Sequence, residues 1–396
     1  MDTIHSCFGM VMEKDIIVGQ EQPSLSFYNH KTKSFQKAIW AELEGGMWRE
    51  YMIDNFVSNE AVGNDYPEKW KPVFPQITPI IPGYRWNEEQ SKLEHRYYYP
   101  KRMEAVSLNT FLEAVERFFD KFRNKKIGVH LSGGLDSTLI ICLLRYFNIP
   151  FVLGGLESKR FEMRTERHIQ HKIREYGETS FLIDIEDVPF FGGLDCVPKH
   201  QVPDEHIRGN DADRVLADAF QKAGVEVVFS GQGGDSLLME DETHGLARYN
   251  LGFEFQLPWS QEHFYGPRGI QLISFFADEH IIDQISNLRL GQQEDSAKLW
   301  ARHFFREFLP RELSEYCYVG DYFGLTLDGL ERAKPLIKCL MEESYELTQH
   351  VLFAPKQADS FLKTNVYALE IKDYIDFCSR ISVAVWLHSL FRNDSV

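Results

Sequence analysis

The sequence predicts an α/β protein: a parallel, doubly wound sheet with a helical C-terminal part and a small β-rich N-terminal domain. Three observations carry that expectation. Between residues 127 and 229, short β-branched runs alternate with helical stretches, the pattern of parallel strands joined by crossover helices. Before about residue 104 the apolar runs are short and broken by glycine and proline, which suits strands and loops. From about Phe264 onward the chain reads as helical. The expected division is therefore 1–103 and 104–396.

In the first part, residues 16–18 and 77–81 are apolar runs set among Gly45, Gly46, Gly63, Pro72, Pro75, Pro79, Pro82 and Gly83. Behind Ser107, a plausible N-cap, Leu108, Phe111, Leu112, Val115, Phe118, Phe119 and Phe122 recur at spacings of three and four, so a helix packs an aromatic stripe into the core. Strands are expected at 127–131, 151–156, 180–185 and 225–229, with helices from about 137, around 169–176 and around 215–220. Residues 299–308 form a helical stretch stopped by Pro310, and 369–390 keep an apolar stripe through Tyr374, Ile375, Cys378, Ile381 and Leu387. Ligands of such sheets bind beyond the carboxyl ends of the strands.

Composition excludes several function classes. With 43 Lys and Arg against 59 Asp and Glu, the net charge of −16 argues against binding led by nucleic-acid phosphates. Cys7, Cys142, Cys196, Cys317, Cys339 and Cys378 are scattered without metal or dithiol spacing, so they read as reduced thiols of a cytoplasmic protein, mostly in or near the core. Neither a signal peptide nor a membrane span is expected. His168, His171 and His200 form no ligand pair, and Arg164 and Glu166 read as first-turn charges of a helix.

The chemistry lies after the first strand of the sheet. Leu131 is followed by Ser132, Gly133, Gly134, Leu135, Asp136 and Ser137, and then by an apolar helix. A strand, a glycine turn and a helix start make an anion site: the backbone closes tightly around phosphate oxygens and the first helical N–H groups point at them. Ser132 and Ser137 offer hydroxyl donors to the same phosphates. Asp136 would be repelled by phosphate unless it holds Mg²⁺ against a pyrophosphate. The plainer alternative is an ordinary turn with Ser137 as N-cap. A second strand runs into Ser230, Gly231, Gln232, Gly233, Gly234 and Asp235, again a glycine turn with a carboxylate. Two carboxylates on adjacent strand ends suit a hard cation; two unrelated turn aspartates are the bland reading.

The string SGGLDS at 132–137 resembles the pyrophosphate loop of the PP-loop ATP pyrophosphatases, and within them the synthetase domain of the asparagine synthetase B family. The turn at 230–235 is similar to that family's second signature, which implies that Asp235 pairs with Asp136 on magnesium. Residues 275–278 are similar to its Pro-Phe-x-Asp segment, with Phe275 in place of the proline. Lys298, four residues before Arg302 and twelve before Pro310, is similar to the lysine that contacts the phosphates, although a lysine at a helix start is also an ordinary solvated cation. The resemblance runs from about Thr78 to Leu340 and includes residues 78–83 and 97–100 as a linker. It implies ATP and Mg as cofactors, Ser132 to Ser137 with Gly231, Gly234 and Lys298 as the ATP and pyrophosphate seat, and Lys298 with Gln232 as catalytic positions.

The departures narrow the activity. Glutamine-using members start their mature chain with Cys, where this chain has Asp2, and Cys7 lies inside a peptide; no glutaminase is expected. Gln232 stands where asparagine synthetases carry Glu and β-lactam formers carry Tyr, and a neutral amide is no base near pH 7. The family's late lysine falls near Tyr318, and the chain is short between Leu238 and Gly269. What remains is an ATP- and Mg-dependent amide ligase or cyclase that adenylates a carboxylate and joins it to an amine without glutamine, as in the β-lactam synthetase and lasso-peptide macrocyclase branch of natural-product or modified-peptide biosynthesis. The alternative is a catalytically impaired nucleotide-binding partner subunit. A tRNA-modifying relative or a nucleotide-sugar amidotransferase would need cysteines that are missing. The expected partners are a small-molecule or peptide substrate with carboxylate and amine, and neither nucleic acid nor membrane. A partner biosynthetic protein and a homodimer both stay open.

Overall fold

The computed structural model describes residues 26–29, 34–36, 77–80, 84–87, 92–95, 107–160, 163–199, 205–238, 259–289, 298–315, 323–348, 355–369 and 371–391. The expected boundary near 104 lies outside these residues, as do the expectations at Asp2, Cys7, 16–18, 97–100, His200, Cys317 and Tyr318. Among the described residues there are two compact units. One draws on Pro82–Val188 and Asp213–Asp321, the other on Leu25–Ile81, Pro189–Ala212 and Tyr322–Val396.

Ahead of residue 104 the described segments are all strands, as the broken apolar runs predict. β1 (Ser26–Asn29) pairs antiparallel with β2 (Ser34–Gln36) on one side and β3 (Ile77–Ile80) on the other. β4 (Tyr84–Asn87) and β5 (Lys92–His95) form a separate antiparallel pair.

The first unit is then built as the alternation dictates: α1 (Leu108–Asp120), β6 (Ile127–His130), α2 (Leu135–Tyr146), β7 (Phe151–Glu157), α3 (Arg164–Ile173), β8 (Thr179–Asp184), α4 (Asn210–Lys222), β9 (Val227–Ser230), α5 (Gly234–Leu238) and β10 (Gln271–Ser274). α4 starts in the second unit and runs on into the first. The order is β10-β9-β6-β7-β8, every pair parallel, with Ile127 opposite both Phe151 and Val227. α1 opens on a reciprocal cap: Ser107 Oγ accepts the Thr110 N–H at 3.2 Å, and Thr110 Oγ1 accepts the Ser107 N–H at 2.9 Å. Its stripe meets the sheet ring against ring, with Phe118 5.3 Å from both Phe229 and Phe275. Each fully buried phenylalanine contributes roughly 1.5–3 kcal/mol. On the opposite face Phe220 of α4 fits where Gly128 and Gly154 present no Cβ.

Three expectations change. The final third is not helical from Phe264: a single π-type turn, Gln261–Tyr265, leads through Gly269 (φ 73°) into β10, a four-residue strand too short to show a period. The helix expected over 299–308 ends early. It is α7 (Leu299–Phe304), followed by turns, Pro310 and α8 (Arg311–Glu315), while α6 (Glu279–Arg289) precedes it. Asp278 caps α6, accepting the His280 and Ile281 N–H groups, and pairs with Lys121 at 2.8 Å. Of the cysteines, Cys142 and Cys378 are buried, but Cys196 and Cys339 are exposed; all four are free thiols.

The second unit is helical at its C-terminal end, with α9 (Phe323–Thr348), α10 (Pro355–Lys363) and α11 (Ile371–Phe391). Ser344 ties α9 to α11, its Oγ lying 3.1 Å from Ala384 O, and Lys334 donates to Thr364 O at 2.7 Å just past the end of α10, where a cation meets the helix dipole favourably. No helix among the described residues is long and apolar enough to cross a membrane.

Candidate active site

The chain leaves β6 toward β7 and β8 on one side, and later returns to lay down β9 and β10 on the other. The carboxyl ends of β6 and β9 therefore flank a topological switch point, where open α/β sheets bind ligands. Both glycine turns singled out in the sequence follow these two strands.

In the first turn Gly133 has φ 82°, a left-handed conformation that glycine adopts freely, and a Cβ there would overlap the backbone of Glu166. Gly134 is the N-cap of α2, which begins at Leu135, two residues earlier than expected. Ser137 is thus inside the first turn and not the N-cap. Its Oγ lies 2.7 Å from Ser132 Oγ, which in turn accepts the Gly134 N–H at 3.2 Å. The turn holds two hydroxyls and the free N–H groups of a helix start side by side, the donor set an anion needs.

The second turn packs onto the first. A Cβ on Gly231 would stand 2.7 Å from Ser137 N, and one on Gly234 would overlap the Asp136 carboxyl. Serines on two strand ends hold both peptides flanking the Gln232 Cα: Ser230 Oγ accepts the Gln232 N–H at 3.2 Å, and Ser274 Oγ donates to Gln232 O at 2.7 Å. The Gln232 side chain is half-buried and neutral.

Asp136 and Asp235 converge on one atom. Lys298 Nζ is 2.7 Å from both carboxylate oxygens of Asp136 and 2.5 Å from Asp235 Oδ1. Lys298 occupies the N-cap position of α7 with φ 56° and is 7% exposed, so the solvated reading of this lysine is overturned. Burial pushes the Asp136 carboxyl above its ordinary value, with the Lys298 charge working against it. For Lys298 burial pulls the other way, and the two carboxylates outweigh it to raise its pKa. The ammonium stays charged at neutral pH. Arg302, one turn further on and buried, donates to Leu313 O and adds positive charge near Asp136.

The structure thus gathers Ser132, Gly133, Gly134, Leu135, Asp136, Ser137, Gly231, Gln232, Gly234, Asp235 and Lys298 at one strand edge. Ser230, the first residue of the second turn, and Arg302, one turn after Lys298, belong to it too; Ser274 and Gln170 also do and carry no spacing signal. Glu166 is more than a first-turn charge: it is buried, with its backbone against Gly133. Glu157 is engaged by Arg167 at 3.2 Å and His171 at 2.9 Å; those hydrogen bonds outweigh burial and hold its carboxyl below the ordinary value.

The two carboxylates converge on one point, held here by the Lys298 ammonium within 2.7 Å, and two hard oxygen donors on adjacent strand ends fit a magnesium ion that takes its remaining ligands from water and phosphate.

A family model described as asparagine synthase matches residues 108–317. The chain belongs to the asparagine synthase family. As a member it is an ATP-utilising enzyme of the ligase type. The matched span begins at α1 and holds both glycine turns and Lys298. Among solved structures, the NMN synthetase from Francisella tularensis is similar over 56% of this chain and 98% of its own, at 14% identity and a TM-score of 0.26. No curated protein matches the chain.

Proposed function

We propose that this asparagine synthase family member is an AMP-forming amide ligase or cyclase: it adenylates a carboxylate with ATP and joins it to an amine of a second substrate or of the same molecule, without glutamine. The observation that carries the reading is the convergence of Asp136, Asp235 and Lys298 beside the Ser132–Ser137 hydroxyl pair. A carboxylate oxygen is a poor leaving group; transfer of AMP onto it makes one. That reaction concentrates negative charge on the departing pyrophosphate, which needs donors and cations fixed in advance.

In this reading the Gly133 amide, the first N–H groups of α2 and the two hydroxyls bind the phosphates, and Lys298 takes up charge as it develops. Asp136 and Asp235 hold magnesium, which when bound neutralises phosphate charge. Gln232, neutral and held at its backbone by Ser230 and Ser274, orients the acceptor by hydrogen bonding and leaves proton acceptance to another group, which supports a product other than asparagine. The substrate class is a small molecule or peptide with carboxylate and amine, in natural-product or modified-peptide biosynthesis. The cytoplasm is its proposed location, where free thiols such as Cys196 and Cys339 persist.

ATP–pyrophosphate exchange tests the adenylation half. Purified protein with ATP, Mg²⁺ and labelled pyrophosphate should exchange label into ATP only when a carboxylate-bearing extract of the source cells is added. Exchange without extract, or none in any extract fraction while ADP accumulates, contradicts the reading. Amide products that take nitrogen from labelled glutamine contradict the glutamine-free part.

A further inference from the structure

We infer that Gln170 is a positioning residue for the phosphate seat, acting through the Leu131–Ser132 peptide; the inference rests on the reading of residues 132–137 as that seat. Gln170 projects from α3, is 2% exposed, and donates from Nε2 to Leu131 O at 2.9 Å and to Leu156 O at 2.6 Å. The two carbonyls belong to neighbouring strand ends at the carboxyl edge of the sheet. A primary amide has two N–H donors, so one side chain can hold both, and being neutral it does so without the penalty of a buried charge.

The consequence passes through one peptide plane. With Leu131 O fixed toward Gln170, the N–H of the same planar unit points the other way. There Ser132 N lies 3.4 Å from Ser137 Oγ, the hydroxyl that meets Ser132 Oγ at 2.7 Å. Gly155 also lies against this carbonyl, since a Cβ there would overlap Leu131 O. α3 is itself held against the edge: Arg167 and His171 bind Glu157, and the Glu166 backbone lies against Gly133. Gln170 therefore sets the orientation from which the hydroxyl pair faces a phosphate, without touching the phosphate.

The test compares binding of MgATP and of magnesium pyrophosphate by calorimetry in wild type, Gln170→Met and Ser344→Ala, at a temperature where all are folded. Met keeps the length and removes the donors. Ser344→Ala, in the second unit, removes a buried hydroxyl whose Oγ meets Leu340 O and Ala384 O, and serves as the stability control. Gln170→Met should weaken both ligands by about tenfold, the scale of one lost buried hydrogen bond. Ser344→Ala should lower the melting temperature and leave both affinities unchanged. In a double-mutant cycle Gln170→Met and Ser137→Ala should be non-additive, a coupling that mere loosening of the fold would not produce. Should Gln170→Met not fold, Gln170→Asn, which shortens the reach by one methylene, decides by the same comparison. Affinities within about twofold of wild type in a folded Gln170 variant overturn the positioning role. A wild type that binds neither ligand overturns the phosphate seat itself.

Discussion

Lys298 is the residue on which the site's electrostatics turn, because its buried ammonium faces three oxygens of two carboxylates. Replacing it with methionine leaves Asp136 buried beside a like charge. Lys298→Met should lower stability by about 3 kcal/mol, and adding Asp136→Asn should recover most of that loss; urea titration of the single and double variants measures both. Gly231 shows a second residue-scale constraint. Gly231→Ala forces the two turns apart, at an expected cost of about 1–3 kcal/mol with loss of ATP binding. His130 gives the pH response. Burial pushes its imidazole from 6.5 down to about 4, and its Nε2 meets Tyr265 Oη at 2.7 Å. Because the unfolded chain binds this proton more readily, stability should fall as pH drops from 6.5 to 4. His130→Gln, which keeps a hydrogen bond to Tyr265, should show a shallower fall between denaturation at pH 7 and at pH 5. The motif residues Ser132, Asp136, Ser137 and Asp235 were legible in the sequence because glycine turns after strands have a fixed chemistry. The pairing of Lys298 with both carboxylates was not, since Asp136 lies 162 residues from it in the chain and only the fold brings them together.

Among the elements, α3 connects the site to its surroundings. Its Arg167 and His171 reach Glu157, while His168 and Lys172 reach Glu312 of α8, Lys172 at 2.6 Å. The Lys172 ammonium hydrogen bond draws the Glu312 carboxyl from 4.5 down to about 2. A depressed carboxyl stabilises the fold above its unfolded value, so this contribution is full above pH 4.5 and lost as pH falls toward 2. Both side chains are partly exposed, which limits the effect: Glu312→Gln should cost under about 1 kcal/mol at pH 7, and the difference should vanish near pH 2 in chemical denaturation at the two pH values. α1 was readable from its stripe and its Ser107 cap. β10 was not, because four residues show no period and its place is fixed by pairing with β9. The apolar pattern predicts α7 four residues too long, since it continues past Phe304 into turns ahead of Pro310.

For the whole molecule, the alternation of strands and helices established the parallel sheet, and the strand order added what sequence could not: a switch point that brings two distant turns together. Family membership and this geometry meet in one claim, that ATP is split to AMP at the edge between β6 and β9. Product analysis tests it most directly. Wild type, Asp136→Ala and Asp235→Ala are incubated with ATP, Mg²⁺ and a small-molecule and peptide extract of the source cells, and the nucleotides are separated. The account predicts AMP and pyrophosphate from the wild type alone, and only with extract. ADP and phosphate as the products, or equal AMP from the aspartate variants, would contradict it; ATP binding with no AMP under any condition would point to the nucleotide-binding partner subunit instead.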